Sequence, residues 1–126
     1  MDGTRTAAPI NLERVRKQYP DGTVAVESLT MDLAAGETTV LIGPSGCGKS
    51  TVLRMINRLI EPTGGTIRVD GVEVGGQDAA KLRRSIGYVI QNVGLFPHQT
   101  IRTNVGTVPR LLGWPKVRIG ERTDEL

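Results

Sequence analysis

Nine consecutive residues, Gly43, Pro44, Ser45, Gly46, Cys47, Gly48, Lys49, Ser50 and Thr51, have the types and spacing to hold a chain of phosphates. They match the pattern G-x-x-x-x-G-K-[ST] without departure, between a run suited to a strand and a run of helical period. A triphosphate brings roughly three to four negative charges, and backbone N–H groups converging at a helix N-terminus hold them without obstruction by side chains. Gly43, Gly46 and Gly48 permit the close approach and the dihedral angles that a Cβ would forbid. Lys49 has the reach and charge to meet β- and γ-phosphate oxygens, and the Ser50 hydroxyl suits a Mg²⁺ ligand. Thr51 adds a hydroxyl toward the α-phosphate, and the run from Gly43 to Thr51 as a whole, Pro44, Ser45 and Cys47 included, is the candidate nucleotide-contacting set. The competing reading is a glycine-rich turn that binds nothing; the strand-to-helix context argues against it.

The elements that must position this loop can be read from pattern. Thr38 to Ile42 is β-branched and apolar, the composition of a strand buried on both faces. Behind the loop, Val52, Met55, Ile56, Leu59 and Ile60 recur at i, i+3, i+4, i+7 and i+8, which predicts an amphipathic helix stopped by Pro62 and Gly64-Gly65. Upstream, Ile10 to Tyr19 and Val24 to Leu33 read as strands joined by the turn residues Pro20, Asp21 and Gly22. Downstream, Thr66 to Val69 and Val72 to Val74 form a hairpin about Asp70-Gly71, and Asp78 caps a short helix ending at Arg84. Ser85 to Gln91 reads as another apolar strand, followed by a loop, Asn92 to Gln99. Ile101 to Leu126 holds two helical pieces broken at Pro109, Gly113 and Pro115, and residues 1–9 read as a flexible tail.

Composition narrows the function class. The chain has 126 residues, 16 basic and 13 acidic, a formal charge of +3 and 38% hydrophobic residues, which fits one hydrophobic core. Its aromatics, Tyr19, Tyr88, Phe96 and Trp114, are too few for a base-stacking surface, and its basic residues are spread along the chain, so nucleic acid is not an expected partner. The sole cysteine, Cys47, leaves no disulfide framework or cysteine-rich metal site, consistent with a reducing cytoplasm. No run approaches the roughly 20 apolar residues of a membrane span, and the opening residues lack the charged and apolar regions of a secretory signal.

Four strings carry a resemblance: YPDGTVAV at Tyr19–Val26, GPSGCGKSTVLRMINRLIEP at Gly43–Pro62, IGYVIQNVGLFPHQT at Ile86–Thr100 and LLGW at Leu111–Trp114. From about Ile10 to Leu126 the chain resembles the first half of an ABC transporter nucleotide-binding domain, nearest to importers of quaternary amines such as glycine betaine, choline or carnitine. The resemblance implies an α/β fold, a phosphate-loop (RecA-like) core with an ABC-type antiparallel β subdomain. It implies ATP and Mg²⁺ as ligands, Tyr19 as the aromatic that stacks on adenine, and Gln91 as the glutamine that ligands Mg²⁺ or orients water. Lys49 and Gln91 are thus the implied catalytic residues, and Ser50 and Gln91 the implied metal ligands. Asn92 to Asn104 would receive a transmembrane permease subunit, and a second ATP-binding subunit would complete each phosphate loop. Such a protein sits on the cytoplasmic face of the membrane. The sole histidine, His98, falls in the Asn92–Asn104 loop and is expected at the surface without a catalytic role.

Two parts of that family pattern are missing from these residues. No run of four apolar residues ends in Asp-Glu, since Ile67 to Asp70 is interrupted by Arg68, and no Leu-Ser-Gly-Gly-Gln signature occurs. Val74-Gly75-Gly76-Gln77 lacks the serine and precedes Gln91, so it reads as a turn. Residues 10–126 therefore read as the N-terminal part of a longer domain, ending before the signature and Walker B segments, with no ATP turnover expected of them alone. Two alternatives stand beside an importer ATPase: a nucleotide-binding fragment without turnover, and a small-molecule kinase. The contexts of Tyr19 and Gln91 weigh against the kinase.

Overall fold

The computed structural model describes residues 6–126, so most of the expected tail, residues 1–5, lies outside the described residues. The chain divides into two compact units, Met1–Ile86 and Gly87–Leu126.

The first unit is built on a four-stranded antiparallel sheet. Strands β1 (Ile10–Gln18), β2 (Val24–Leu33), β3 (Gly64–Val69) and β4 (Val72–Glu73) lie in the order β2-β1-β3-β4. β1 pairs with β2 from Ile10↔Leu33 to Gln18↔Val24, and with β3 from Ile10↔Val69 to Arg16↔Gly64. The expected turn chemistry closes both hairpins. Gly22 N–H donates to the Tyr19 carbonyl at 2.9 Å, and the Asp21 carboxylate accepts from the Thr23 N–H at 2.9 Å. At the second hairpin, Asp70 N–H donates to the Pro9 carbonyl at 2.9 Å, which ties residue 9 to the sheet.

The Thr23 N–H favours the charged form of Asp21 and holds its carboxyl below the usual 3.8. A depressed folded-state pKa stabilises the fold above the unfolded value, and the contribution fades as pH falls through the folded one. The stability gap between wild type and Asp21→Ala, from urea titrations, is therefore expected in full at neutral pH and to close in acid below 3.8.

Helix α1 (Lys49–Ile56) starts inside the phosphate loop and covers the sheet with Val52, Met55 and Ile56, all buried. These side chains meet Leu12 and Val15 of β1, Ile67 of β3, Val74 and Leu82 in one core, each large side chain contributing about 1.5–3 kcal/mol by its burial. Leu82 belongs to helix α2 (Ala79–Ser85), whose cap is Asp78, as its sequence predicts, with the carboxylate accepting from Ala80 N–H at 3.1 Å. Val74–Gly76 is a single 3₁₀ turn, in agreement with its reading as a turn.

Helix α1 ends four residues earlier than the apolar period predicts. Arg58 takes a left-handed φ of 55°, Leu59 N–H donates to the Arg54 carbonyl and Arg58 N–H to the Met55 carbonyl, which is the Schellman closure. An arginine in that conformation is costly, and the cost is offset where the Arg58 guanidinium reaches Glu61 at 2.7 Å and the Gln77 carbonyl at 2.5 Å. The α2 side chain of Arg83 completes the closure by donating to the Asn57 and Arg58 carbonyls at 3.2 and 2.5 Å, a cation at the negative end of the helix dipole.

Two predicted strands are not formed. Thr38–Ile42 and Ile86–Gln91 run without strand structure, and Ser85 closes α2 instead of opening a strand. Val40, Ile42 and Val89 are 70%, 92% and 97% exposed. Their residue types suit a strand buried on both faces, but a strand forms only against a neighbour, and among the described residues neither segment has a ladder partner.

The second unit holds three short helices where two were expected: α3 (Ile101–Val105), α4 (Thr107–Leu111) and α5 (Lys116–Glu125). Thr100 caps α3, its hydroxyl accepting from Thr103 N–H at 3.1 Å. Pro109 does not break the chain. It sits in the first turn of α4, where its missing N–H costs no helical hydrogen bond, and the breaks fall at Gly106 and Leu112-Gly113. Trp114, ahead of α5, carries the Arg118 guanidinium 3.7 Å from its ring centroid.

Candidate functional site

The phosphate loop joins Ile42 to α1 as a tight turn, with Cys47 N–H donating to the Pro44 carbonyl at 3.2 Å and Val52 N–H to the Gly48 carbonyl at 3.0 Å. Gly46 and Gly48 have φ of 83° and 101°. Gly48 also lies against β2: a Cβ there would be 2.5 Å from the Ala25 carbonyl oxygen. The glycine serves both the loop's conformation and its seat on the sheet.

Lys49 is folded over the loop. Its ammonium donates to the carbonyls of Gly43 and Pro44, the latter at 2.8 Å, and lies 3.4 Å from the Cys47 sulfur. These acceptors are neutral, so anionic phosphate oxygens are stronger partners for the same charge. Ser50 and Cys47 are exposed, and Thr51 is half-buried. The loop therefore fits a phosphate chain on two observations: glycines where side chains would clash or strain, and a cation held over the turn.

An open groove of about 360 Å³ runs between the loop and β2, lined by Val26, Leu29, Met31 and Val52 among others, with Lys49 and Glu27 its charged residues. The groove therefore opens onto the phosphate loop, with Cys47, Gly48 and Lys49 on its border beside the apolar side chains.

Tyr19 follows the last residue of β1, and its hydroxyl meets the Thr51 hydroxyl at 3.4 Å. The structure thus brings Tyr19, Lys49, Ser50 and Thr51 into one unit, at one end of the sheet. Gln91 belongs to the other unit and is exposed, in a segment without regular structure. In that unit, Leu95 and Phe96 are 52% and 50% exposed. Asn104 pins their loop by accepting from Phe96 N–H at 2.8 Å and donating to the Thr100 carbonyl at 2.9 Å. His98 is exposed as expected, its ring set edge-on to Phe96.

One residue that the motifs passed over stands in the site. The Lys17 ammonium lies over the Tyr19 ring, 5.3 Å from its centroid, and donates to the Glu61 carbonyl at 2.8 Å. The available signal was the i, i+2 spacing of Lys17 and Tyr19 along extended chain, which places both on one face.

A loop of this build, feeding an α-helix packed on a sheet, defines a phosphate-loop nucleotide-binding protein. The chain belongs to the ABC transporter family, whose sequence model matches residues 26–126. It is 54% identical over 117 residues to the glycine betaine/carnitine/choline transport ATP-binding protein OpuCA of Bacillus subtilis, covering 93% of this chain and 31% of that protein. It is 49% identical over 121 residues to the osmoprotectant import ATP-binding protein OsmV of Salmonella typhimurium, covering 93% and 32%. Among solved structures, a bacterial Atm1-family ABC exporter with ATP bound matches at a TM-score of 0.74 and 31% identity, over 80% of this chain and 18% of that one. The chain spans about a third of the length of the curated relatives it matches. No helix among the described residues is long and apolar enough to cross a membrane.

Proposed function

We propose that this protein is the ATP-binding subunit of an importer for a quaternary-amine osmoprotectant of the glycine betaine, choline and carnitine class, with residues 10–126 the opening part of its nucleotide-binding domain. The observation that carries the reading is the phosphate loop with Lys49 folded over it, in a chain whose relatives are transport ATP-binding proteins for these solutes. Mg–ATP, when bound, supplies the phosphoryl group whose hydrolysis drives transport. Backbone amides from Gly43 to Thr51 would hold its phosphates, Lys49 would offset charge on the β- and γ-oxygens, and the Ser50 hydroxyl would ligand the metal. Tyr19 stacks on the adenine, its hydroxyl kept in place by Thr51.

The segment Asn92–Asn104 receives the transmembrane permease subunit on the cytoplasmic face of the membrane. The half-exposed Leu95 and Phe96, held by Asn104, are its apolar contact. A second copy of the subunit completes the ATP site.

Uptake of labelled choline, glycine betaine and carnitine tests this. The full reading frame is expressed with its permease genes in a strain lacking quaternary-amine uptake. Accumulation of at least one solute is expected, and its loss with Lys49→Ala. ATP hydrolysis without accumulation of any of the three would overturn the assignment of solute class.

A further inference from the structure

We infer that Lys17 is a positioning residue for the nucleobase platform: its ammonium occupies one face of the Tyr19 ring, leaving the opposite face to the purine. The inference rests on the reading that Tyr19 stacks on a base. Three contacts carry it. The Lys17 ammonium lies 5.3 Å from the ring centroid, within the range of a cation–π interaction. It is anchored there by the Glu61 carbonyl at 2.8 Å, in the segment that follows α1. At the far edge of the ring, the Tyr19 hydroxyl meets Thr51, a residue of the phosphate loop itself.

The backbone around these contacts is held as well. Thr63 N–H donates to the Arg16 carbonyl at 2.8 Å, and Gln18 N–H donates to the Thr63 hydroxyl at 2.9 Å, which returns a bond to the Gln18 carbonyl at 3.2 Å. The segment Glu61–Thr63 thus clips the end of β1 on both sides of Lys17. A ring fixed on its edge and on one face gives up little freedom when a base arrives, so more of the stacking energy appears as affinity. The anchored ammonium also keeps a base, or a stray side chain, from the wrong face. Lys17 needs no contact with the nucleotide to do this.

Calorimetric titration of the full chain with Mg–ATP and with Mg–tripolyphosphate separates this role from a general electrostatic one. Lys17→Met keeps most of the side-chain stem and removes the charge; it is expected to weaken Mg–ATP about threefold to tenfold and to leave tripolyphosphate unchanged. Lys17→Arg, which restores a cation over the ring, is expected to stay within about twofold of wild type for both ligands. Tyr19→Ala should weaken Mg–ATP alone. Unchanged ATP affinity in Lys17→Met, alongside a loss in Tyr19→Ala, would refute the positioning role and leave the stacking reading intact. Unchanged affinity in Tyr19→Ala would overturn the stacking reading and the positioning role with it. Equal losses for ATP and tripolyphosphate in Lys17→Met would assign Lys17 to the phosphate field and overturn the inference. Lys17→Gln serves the same comparison should the methionine variant fail to fold.

Discussion

Lys49→Ala is expected to weaken Mg–ATP binding by about 10- to 100-fold while leaving the melting temperature within about 2 °C of wild type. A charge-assisted hydrogen bond contributes about 1.5–3 kcal/mol, and each 1.4 kcal/mol is about tenfold in Kd. In the free protein the ammonium is bonded to the Gly43 and Pro44 carbonyls, which lie on exposed residues, so water can replace it when it is removed. That is why the effect should fall on binding and spare the fold. Hydrolysis by the full protein should fall further than binding, because the charge on the γ-phosphoryl oxygens grows toward the transition state. Lys49→Arg keeps the charge but replaces a compact ammonium by a planar fork that cannot settle on the same carbonyls, and it should rescue binding only in part. Nucleotide titration and thermal unfolding of both variants check this. An alanine variant that binds Mg–ATP with wild-type affinity would remove Lys49 from the phosphate site.

The phosphate loop was legible in the sequence because its chemistry is contiguous. Nine adjacent residues carry both the conformational permission and the charge, and no distant residue is needed to recognise them. Tyr19 lies outside that run, and only the resemblance of YPDGTVAV to the family pointed to it; its contact with Thr51 spans 32 residues of chain. Lys17 escaped notice for a related reason. Its role depends on a carbonyl 44 residues away, and a backbone acceptor has no side-chain signature to read.

The fold divides along the same line. Both hairpins follow from local turn chemistry, at Pro20-Asp21-Gly22 and at Asp70-Gly71, and Asp78 caps its helix as its residue type predicts. The end of α1 was not legible, since the apolar period runs on to Ile60 while Arg58 turns left-handed on the support of Glu61 and Gln77, one nearby and one not. Thr38–Ile42 and Ser85–Gln91 fail differently. Their composition reports a capacity to be buried in a sheet, and that capacity is realised only beside a partner strand.

Gly48→Ala should cost the fold about 2–4 kcal/mol and abolish measurable nucleotide binding, more than any other single substitution in the loop. Two independent penalties meet at this residue. Its φ of 101° lies where side-chain-bearing residues are strained, and an added Cβ would stand 2.5 Å from the Ala25 carbonyl oxygen and 3.3 Å from Val26 Cγ2. Ala25 cannot readily retreat, because its neighbours Val24 and Val26 are paired with Gln18 and Lys17 across the β1–β2 ladder. The α1 N-terminus must move instead, carrying Lys49 and Ser50 with it. Gly46 supplies the control: its φ is 83°, but nothing lies within 4 Å of the position of an added Cβ. Gly46→Ala should therefore cost only the dihedral penalty, about 1 kcal/mol. Urea unfolding of the two variants separates conformational strain from the clash with β2. Equal destabilisation would show that the loop's seat against Ala25 contributes nothing, whereas the larger loss at Gly48 would locate the coupling between the phosphate site and the sheet at this one glycine.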